Sequence, residues 1–298
     1  VIDETQDLLL AQIHADKDYF CHEGLFSFSL QNEAVDYRKR DYLFSGGDWR
    51  GIEFPAIKKN QTLGSVLVIG HSDKETTVRD VVKIRALTSY RRIYSSNFSG
   101  FGRIPFGLEG RLLPLGLANP TAESQLHIVY GDASILSAAF HSRSRPLVMA
   151  NLEYIYANFS VSTAKAHRQT LHNSLRKIPH IHHGTIDPSI AGRLKYLSEI
   201  RETGLVVCPR GNGLDTHRLY ETLYMGAIPI LLRKSYQFRI CRTFGFPVVG
   251  LEDWGQLAEF DLVKQLASQE CFSGNGLAAL RLSSWTGDEG PLSLVRKD

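Results

Sequence analysis

The feature that most constrains this chain is an alternation of short apolar runs with longer segments of helical spacing. "SVLVIGHSD" (residues 65–73) is a continuous apolar run that ends in polar residues. A run of that length predicts a strand buried on both faces. "KETTVRDVVKIRALT" follows, with Val78, Val81, Val82 and Leu87 at near-helical spacing. "RRIYSSNF" and "GRLLPLGL" read as further strands, and "AESQLHIVYGDASILSAAF" as mixed strand and helix. The alternation restarts after the polar break "HSRSRP" (141–146). There "LVMANLEYIYANFS" reads as a strand region and "VSTAKAHRQTLHNSLRKIP" as a helix, with Thr163 as N-cap and Pro179 as stop. "AGRLKYLSEIRETG" is a second helix that ends at Gly204. "LVVCP" then reads as a strand, "RGNGLD" as a loop, "THRLYETLYMG" as a helix, and "AIPILL" and "FPVVGL" as strands. Such alternation means parallel sheets covered by helices. The simplest account is two α/β domains joined end to end, residues 1–145 and 146–298.

The first 60 residues are mixed. "DLLLAQIHADKDYF" has helical spacing with Leu8, Leu9, Ile13 and Phe20 on one face, "GLFSFSL" alternates like a strand, and "FSGGDWRG" (44–51) is turn chemistry. Length, with 298 residues, fits two domains of ordinary size. A net charge of +3 permits an anionic ligand but lacks the strong basic bias of a nucleic-acid binder. No apolar run reaches membrane-spanning length. Cys21, Cys208, Cys241 and Cys271 are widely spaced without a CxxC, which favours buried free thiols over a zinc site or a disulfide pair. Asn60, Asn97 and Asn158 begin N-x-[ST] triplets, which matter only in a secretory compartment.

The densest chemistry lies in "VVCPRGNGLDTHRLYETLYMGAIPIL" (206–231), read as strand, loop, helix and strand. Ligands of open parallel sheets bind outside the carboxyl ends of the strands, and the loop 209–215 leaves such an end. Gly211 and Gly213 let the backbone turn and approach a ligand, Asn212 lies between them, and Asp215 can cap the next helix before Thr216. The start of that helix is an anion site. Arg210 and Arg218 flank it with forked donors suited to phosphate oxygens. His217, Arg218 and Glu221 share one helix face, with Leu219 and Leu223 on the other. A carboxylate beside a phosphate site makes sense if Glu221 accepts from ribose hydroxyls. The plainer alternative is a surface pair of Glu221 with His217 or Arg218, worth about 0.2–0.5 kcal/mol. The stretch is neither a P-loop nor the G-x-G-x-x-G fingerprint.

"CPRGNGLDTHRLYETLYMGAIPIL" resembles the donor-site signature of the exostosin-like glycosyltransferases. The likeness covers about 25 residues closely, extends to "YANFSVSTAKAHRQTL" (156–171), and is faint over residues 1–140. More loosely, the chain is similar to the xylosyltransferases of large algal viruses. The resemblance implies a GT-B fold, with two Rossmann-like domains facing across a cleft. The N-terminal domain would be the acceptor side and the C-terminal domain the donor side. It implies a UDP-sugar donor, UDP-xylose among the candidates, and an oligosaccharide or glycoprotein glycan as acceptor. UDP-sugar would be a co-substrate, with no other cofactor, no metal, no nucleic acid partner and no membrane segment in this chain. Carried over by position, Arg210, Arg218 and Arg168 would face the diphosphate and Glu221 the ribose. The expected compartment is cytoplasmic, or the Golgi lumen if an N-terminal anchor has been removed.

Sugar transfer needs a stabilised leaving group, a base for the acceptor hydroxyl and exclusion of water. The base is expected at a strand end of the N-terminal half, where "VLVIGHSD" offers Asp73 first and His71 second. Asp73 capping the following helix is the alternative. Glu23 and Asp48 are weaker candidates, and Trp49 could stack on an acceptor sugar or simply pack. An inverting mechanism is implied by the resemblance alone. "HIHHG" with Asp187 hints at metal, but a loop of loose histidines is favoured. "SYRRIY" reads as a solvated strand edge. A non-catalytic nucleotide- or glycan-binding scaffold is the competing function class. No Tyr-x-x-x-Lys dyad supports an epimerase.

Overall fold

A computed structural model describes residues 4–21, 42–46, 66–70, 73, 75–87, 92–100, 109–118, 130–142, 152–271 and 273–286. In chain order these comprise helix α1 (Glu4–Asp16), strands β1 (Tyr42–Gly46) and β2 (Val66–Gly70), and helix α2 (Val78–Leu87). Strands β3 (Arg92–Ser95) and β4 (Glu109–Leu112) and helix α3 (Ala133–Ser142) follow. Then come β5 (Ile155–Ala157), α4 (Lys165–Leu175), β6 (Ile181–His183), α5 (Ile190–Thr203), β7 (Leu205–Val207) and α6 (His217–Tyr224). The chain continues with β8 (Ile228–Leu232), α7 (Tyr236–Phe244), β9 (Val249–Leu251), a 3-10 turn (Trp254–Ala258), α8 (Phe260–Ala267), α9 (Gly274–Ala279) and α10 (Leu282–Thr286). The architecture is α/β with parallel sheets, compatible with a Rossmann-like fold.

Two compact units interleave along the sequence. The first comprises Val1–Phe20, Gly116–Asn212 and Thr216–Arg281, and the second Cys21–Leu115, Gly213–Asp215 and Leu282–Asp298. Helix α3 lies on the N-terminal side of the division expected at residue 145, yet it groups with the later chain because it packs on α5 and α1.

The first unit holds a five-stranded parallel sheet in the order β6-β5-β7-β8-β9. Ile155, Leu175, Leu205, Val207 and Ile230 are fully closed to solvent in its core. Each such aliphatic side chain contributes about 1.5–3 kcal/mol by leaving water. Gly204 ends α5 in the left-handed region at φ 75°, where its N–H bonds back to Ile200. Pro229 is tolerated in a central strand because the ladder to β9 begins one residue later, at Ile230. Helix α4 starts after Ala164, which stands at φ 49° with no side-chain cap, so Thr163 is not the N-cap. Leu8 and Leu9 of α1 are exposed, and the buried stripe is Gln6, Leu10, Ile13 and His14. That stripe follows 3- and 4-residue steps, which the consecutive leucines cannot.

The second unit holds a four-stranded parallel sheet in the order β1-β2-β3-β4. Ile69, Val81, Ile84, Ile93 and Phe98 form its described core, whereas Val82 is exposed. Of "SYRRIY", read as a strand edge, Arg92–Tyr94 lie in β3, which has a neighbour on each side and buries Ile93 and Tyr94, while residues 89–91 lie outside the described residues. Phe44–Gly46, read as a turn, close β1. "GLFSFSL" lies outside the described residues. None of the four cysteines is in a disulfide, but only Cys208 and Cys241 are buried. Asn97 and Asn158 are buried and hydrogen-bonded within the protein, so neither is an open glycosylation site. Asn60 lies outside the described residues.

Candidate functional site

In the first unit the sheet order reverses direction at β5, which pairs with β6 on one side and β7 on the other. Ligands of open α/β sheets bind at such a switch point, outside the carboxyl ends of the two strands. The segments that leave those ends are residues 158–164 and the Arg-rich loop from Cys208. Hydrogen bonds from Ala164 and from Arg168 of α4 tie this side to the loop. The Ala164 N–H donates to Asn212 Oδ1 at 3.2 Å, and Arg168 Nη2 donates to the Pro209 carbonyl at 3.2 Å.

Arg168, from the first turn of α4, is 5% exposed and spends its guanidinium on backbone. Its Nε donates to the Arg210 carbonyl (2.8 Å) and its Nη1 to the Ser160 carbonyl (3.1 Å). With each nitrogen committed, Arg168 holds the loop rather than presenting an open fork. Burial, and then the charge of Arg218, lower its pKa to about 10, so it stays cationic at neutral pH. Arg210 is exposed, and among the described residues its hydrogen bonds are 3.4 Å contacts to the carbonyls of Gly211 and Asn212.

Arg218 and Glu221 lie on one face of α6 and meet two side chains of α5. Glu221 Oε1 accepts from Arg193 Nη2 at 2.7 Å, and Glu221 Oε2 accepts from the Tyr196 hydroxyl at 2.8 Å. Tyr196 in turn accepts from Arg218 Nη1 at 3.0 Å. Arg193 is stacked over the rings of Tyr130 (4.8 Å) and Tyr196 (5.0 Å). Burial pushes the Glu221 carboxyl up, but the charge and hydrogen bond of Arg193, with Arg218 and the Tyr196 hydroxyl, outweigh it and hold it below the usual range. Arg218 feels burial downward and the Tyr196 and Glu221 interactions upward, and the latter win. Glu221, expected to grip a ribose, has both oxygens engaged by the chain itself and is 4% exposed.

The site therefore holds the buried Arg168 and Arg193, the half-buried Arg218 and the exposed Arg210 against the single carboxylate of Glu221, with no other ion pair to these arginines among the described residues. Excess cation that is even partly buried is unfavourable unless an anion offsets it. Among the described residues, Arg218 Nε and Arg193 Nε and Nη1 are buried without a hydrogen-bond partner. Unpartnered buried donors of one sign point the same way.

The remaining expected residues fall elsewhere. Asp215 is not a side-chain cap, because the N-cap of α6 is Thr216, which makes no side-chain capping bond. Asp215 instead accepts from the Leu115 N–H, and its own N–H donates to Asn97 Oδ1, within the second unit. Neither Gly211 nor Gly213 has a positive φ. Gly213 is needed for closeness, since a Cβ there would meet Asn97 Oδ1 at 3.0 Å. His217 Nδ1 donates to the Gly116 carbonyl at 2.8 Å. Burial pushes the Cys208 thiol up to about 12, which makes it inert.

Asp73 is exposed, at a bend three residues beyond β2. It does not cap α2. Thr77 and Asp80 form that cap reciprocally: the Thr77 N–H and hydroxyl donate to Asp80 Oδ2 (3.0 and 2.7 Å), and the Asp80 N–H donates to Thr77 Oγ1 (3.2 Å). His71, Glu23, Asp48 and Trp49 lie outside the described residues. His180 bonds the Leu257 carbonyl at 2.6 Å and stacks on Phe260, while His182 and His183 are exposed in β6. Among the described residues no group of three or more His, Cys, Asp or Glu could hold a metal ion. Nor is any described helix long and apolar enough to cross a membrane.

Arg193, Tyr196 and Tyr130 are absent from the sequence reading. The i, i+3 pair Arg193–Tyr196 on α5 was the available signal. No protein-family model matches the chain, and no curated protein matches it.

Proposed function

We propose that the protein is a glycosyltransferase that moves a sugar from a UDP-sugar, UDP-xylose among the candidates, to a hydroxyl of an oligosaccharide or glycoprotein glycan. One observation carries the reading: a surplus of arginine charge, with unpartnered buried donors, gathered at the switch point of a parallel sheet. A diphosphate supplies the missing negative charge. Arg218 and the exposed Arg210 bind it, while Arg168 contributes charge and holds the loop. The same groups stabilise the diphosphate as it leaves with the bonding electrons. Resemblance of the 208–231 stretch to exostosin-like enzymes supports a GT-B arrangement with this unit on the donor side. Asp73, or His71, in the second unit takes the acceptor hydroxyl proton, and the inverting course is part of the same proposal.

The test is calorimetric titration with UDP, GDP, ADP and CMP, followed by UDP release from UDP-sugars with and without glycan acceptors. UDP binds best, and a UDP-sugar releases UDP. Asp73→Asn retains UDP affinity and loses transfer. Failure of every nucleotide to bind overturns the proposal. Binding of UDP with no release from any sugar favours a non-catalytic binding subunit.

A further inference from the structure

Tyr196 is a hydroxyl between two groups of fixed hydrogen-bond polarity. A carboxylate only accepts and a guanidinium only donates, so the proton direction at Tyr196 is set: O–H to Glu221 Oε2, lone pair to Arg218 Nη1. The Arg218 guanidinium also lies over the Tyr196 ring, 5.4 Å from its centroid. The ring contact holds the guanidinium face and the hydrogen bond holds Nη1, which leaves the Nε/Nη2 edge to other partners. On that edge, among the described residues, Nε is buried without a partner and Nη2 makes no hydrogen bond. Nε and Nη2 form the side-on fork of an arginine, the edge suited to two oxygens of one phosphate.

We infer that Tyr196 is a positioning residue for the anion site: its hydroxyl relays the Glu221 carboxylate to Arg218 and turns the Nε/Nη2 fork toward the bound phosphate. Glu221 thereby acts at one remove, as the charge that orients the relay, with Arg193 as its counter-ion. Arg218 needs this support because it has no carboxylate of its own within ion-pair distance among the described residues. The inference deepens the proposed function and rests on its anion site, though not on the identity of the nucleoside.

The experiment compares wild type, Tyr196→Phe, Arg218→Ala and the double variant, titrated calorimetrically with UDP and, in parallel, with inorganic pyrophosphate. Tyr196→Phe keeps the ring under Arg218 and removes only the relay. It weakens both ligands about 10-fold, the loss of one hydrogen bond to a charged group. In the Arg218→Ala background the same change has no further effect, because the group it positions is gone. Equal affinity of Tyr196→Phe and wild type overturns the inference. So does a loss that adds in full to that of Arg218→Ala, which marks a general structural role. If pyrophosphate shows the pattern and UDP binds no more tightly than pyrophosphate, the relay stands and the nucleotide reading falls. A wild type that binds neither ligand overturns both.

Discussion

Arg193 on α5 and Glu221 on α6 form an ion pair of 2.7 Å in which both side chains are almost closed to solvent, at 3% and 6% exposure. A pair so placed is costly to break from one side, because the survivor remains buried and uncompensated. Glu221→Ala is expected to lose about 3–5 kcal/mol of stability in urea denaturation. The double variant Arg193→Met with Glu221→Leu recovers most of that loss, since apolar groups of similar volume need no partner. A single variant with wild-type stability contradicts this account.

Arg210 separates binding from folding. Its guanidinium is exposed and makes only 3.4 Å hydrogen bonds among the described residues, so Arg210→Ala changes stability by less than about 0.5 kcal/mol. The same variant weakens UDP by about 1.5–3 kcal/mol if a charged hydrogen bond to phosphate is lost. Thermal melts without ligand and calorimetry with UDP read the two effects independently.

Arg168 behaves in the opposite way. Three carbonyls, of Ser160, Pro209 and Arg210, depend on it. Arg168→Met leaves them without this donor and is expected to cost about 2–4 kcal/mol, since the Pro209 contact alone is fully buried, at roughly 1–3 kcal/mol, and the other two are partly open to water. Hydrogen exchange resolves the effect as faster exchange at Gly211 and Asn212, with little change in β8.

His14 makes stability depend on pH. Its Nε2 donates to the Tyr224 carbonyl (2.8 Å), so its Nδ1 accepts from the Tyr19 hydroxyl (2.7 Å), and the ring is held neutral. Burial, with smaller help from His141 and Arg201, lowers its pKa from 6.5 to about 4 against the opposing pull of the Tyr224 carbonyl and Asp7. The unfolded chain binds the proton more readily than the folded one between those values, so this contribution is intact above pH 6.5 and is lost as pH falls to 4. The loss amounts to about 3 kcal/mol. His14→Gln flattens the pH dependence of the urea midpoint over that window, and an unchanged slope rules out His14 as its source.

Much of the first unit was legible in the sequence because its signals are local. The runs at 205–207 and 228–232 are apolar on both faces, and a buried central strand requires that. Gly204 and Gly226 stand at φ 75° and 71°, and a helix end in the left-handed region favours glycine wherever it occurs. The Arg-rich loop was legible for the same reason: it follows a strand and precedes a helix. The start of α4 was misread because Ala164 takes the left-handed conformation without any residue that advertises it.

Tertiary structure alone decided what the charges do. Helical spacing placed Arg218 and Glu221 on one face, but their partners come from α5, more than 20 residues away in sequence. A carboxylate on a helix face looks the same in sequence whether it awaits a ribose or a neighbouring arginine. Likewise Arg168 reads as a phosphate ligand until the carbonyls of residues 209 and 210 arrive beside it. Hydrophobic period and backbone conformation are properties of a few consecutive residues, so the chain writes them locally. Pairing of buried charges depends on which distant segments the packed core brings within about 3 Å, the length of a hydrogen bond.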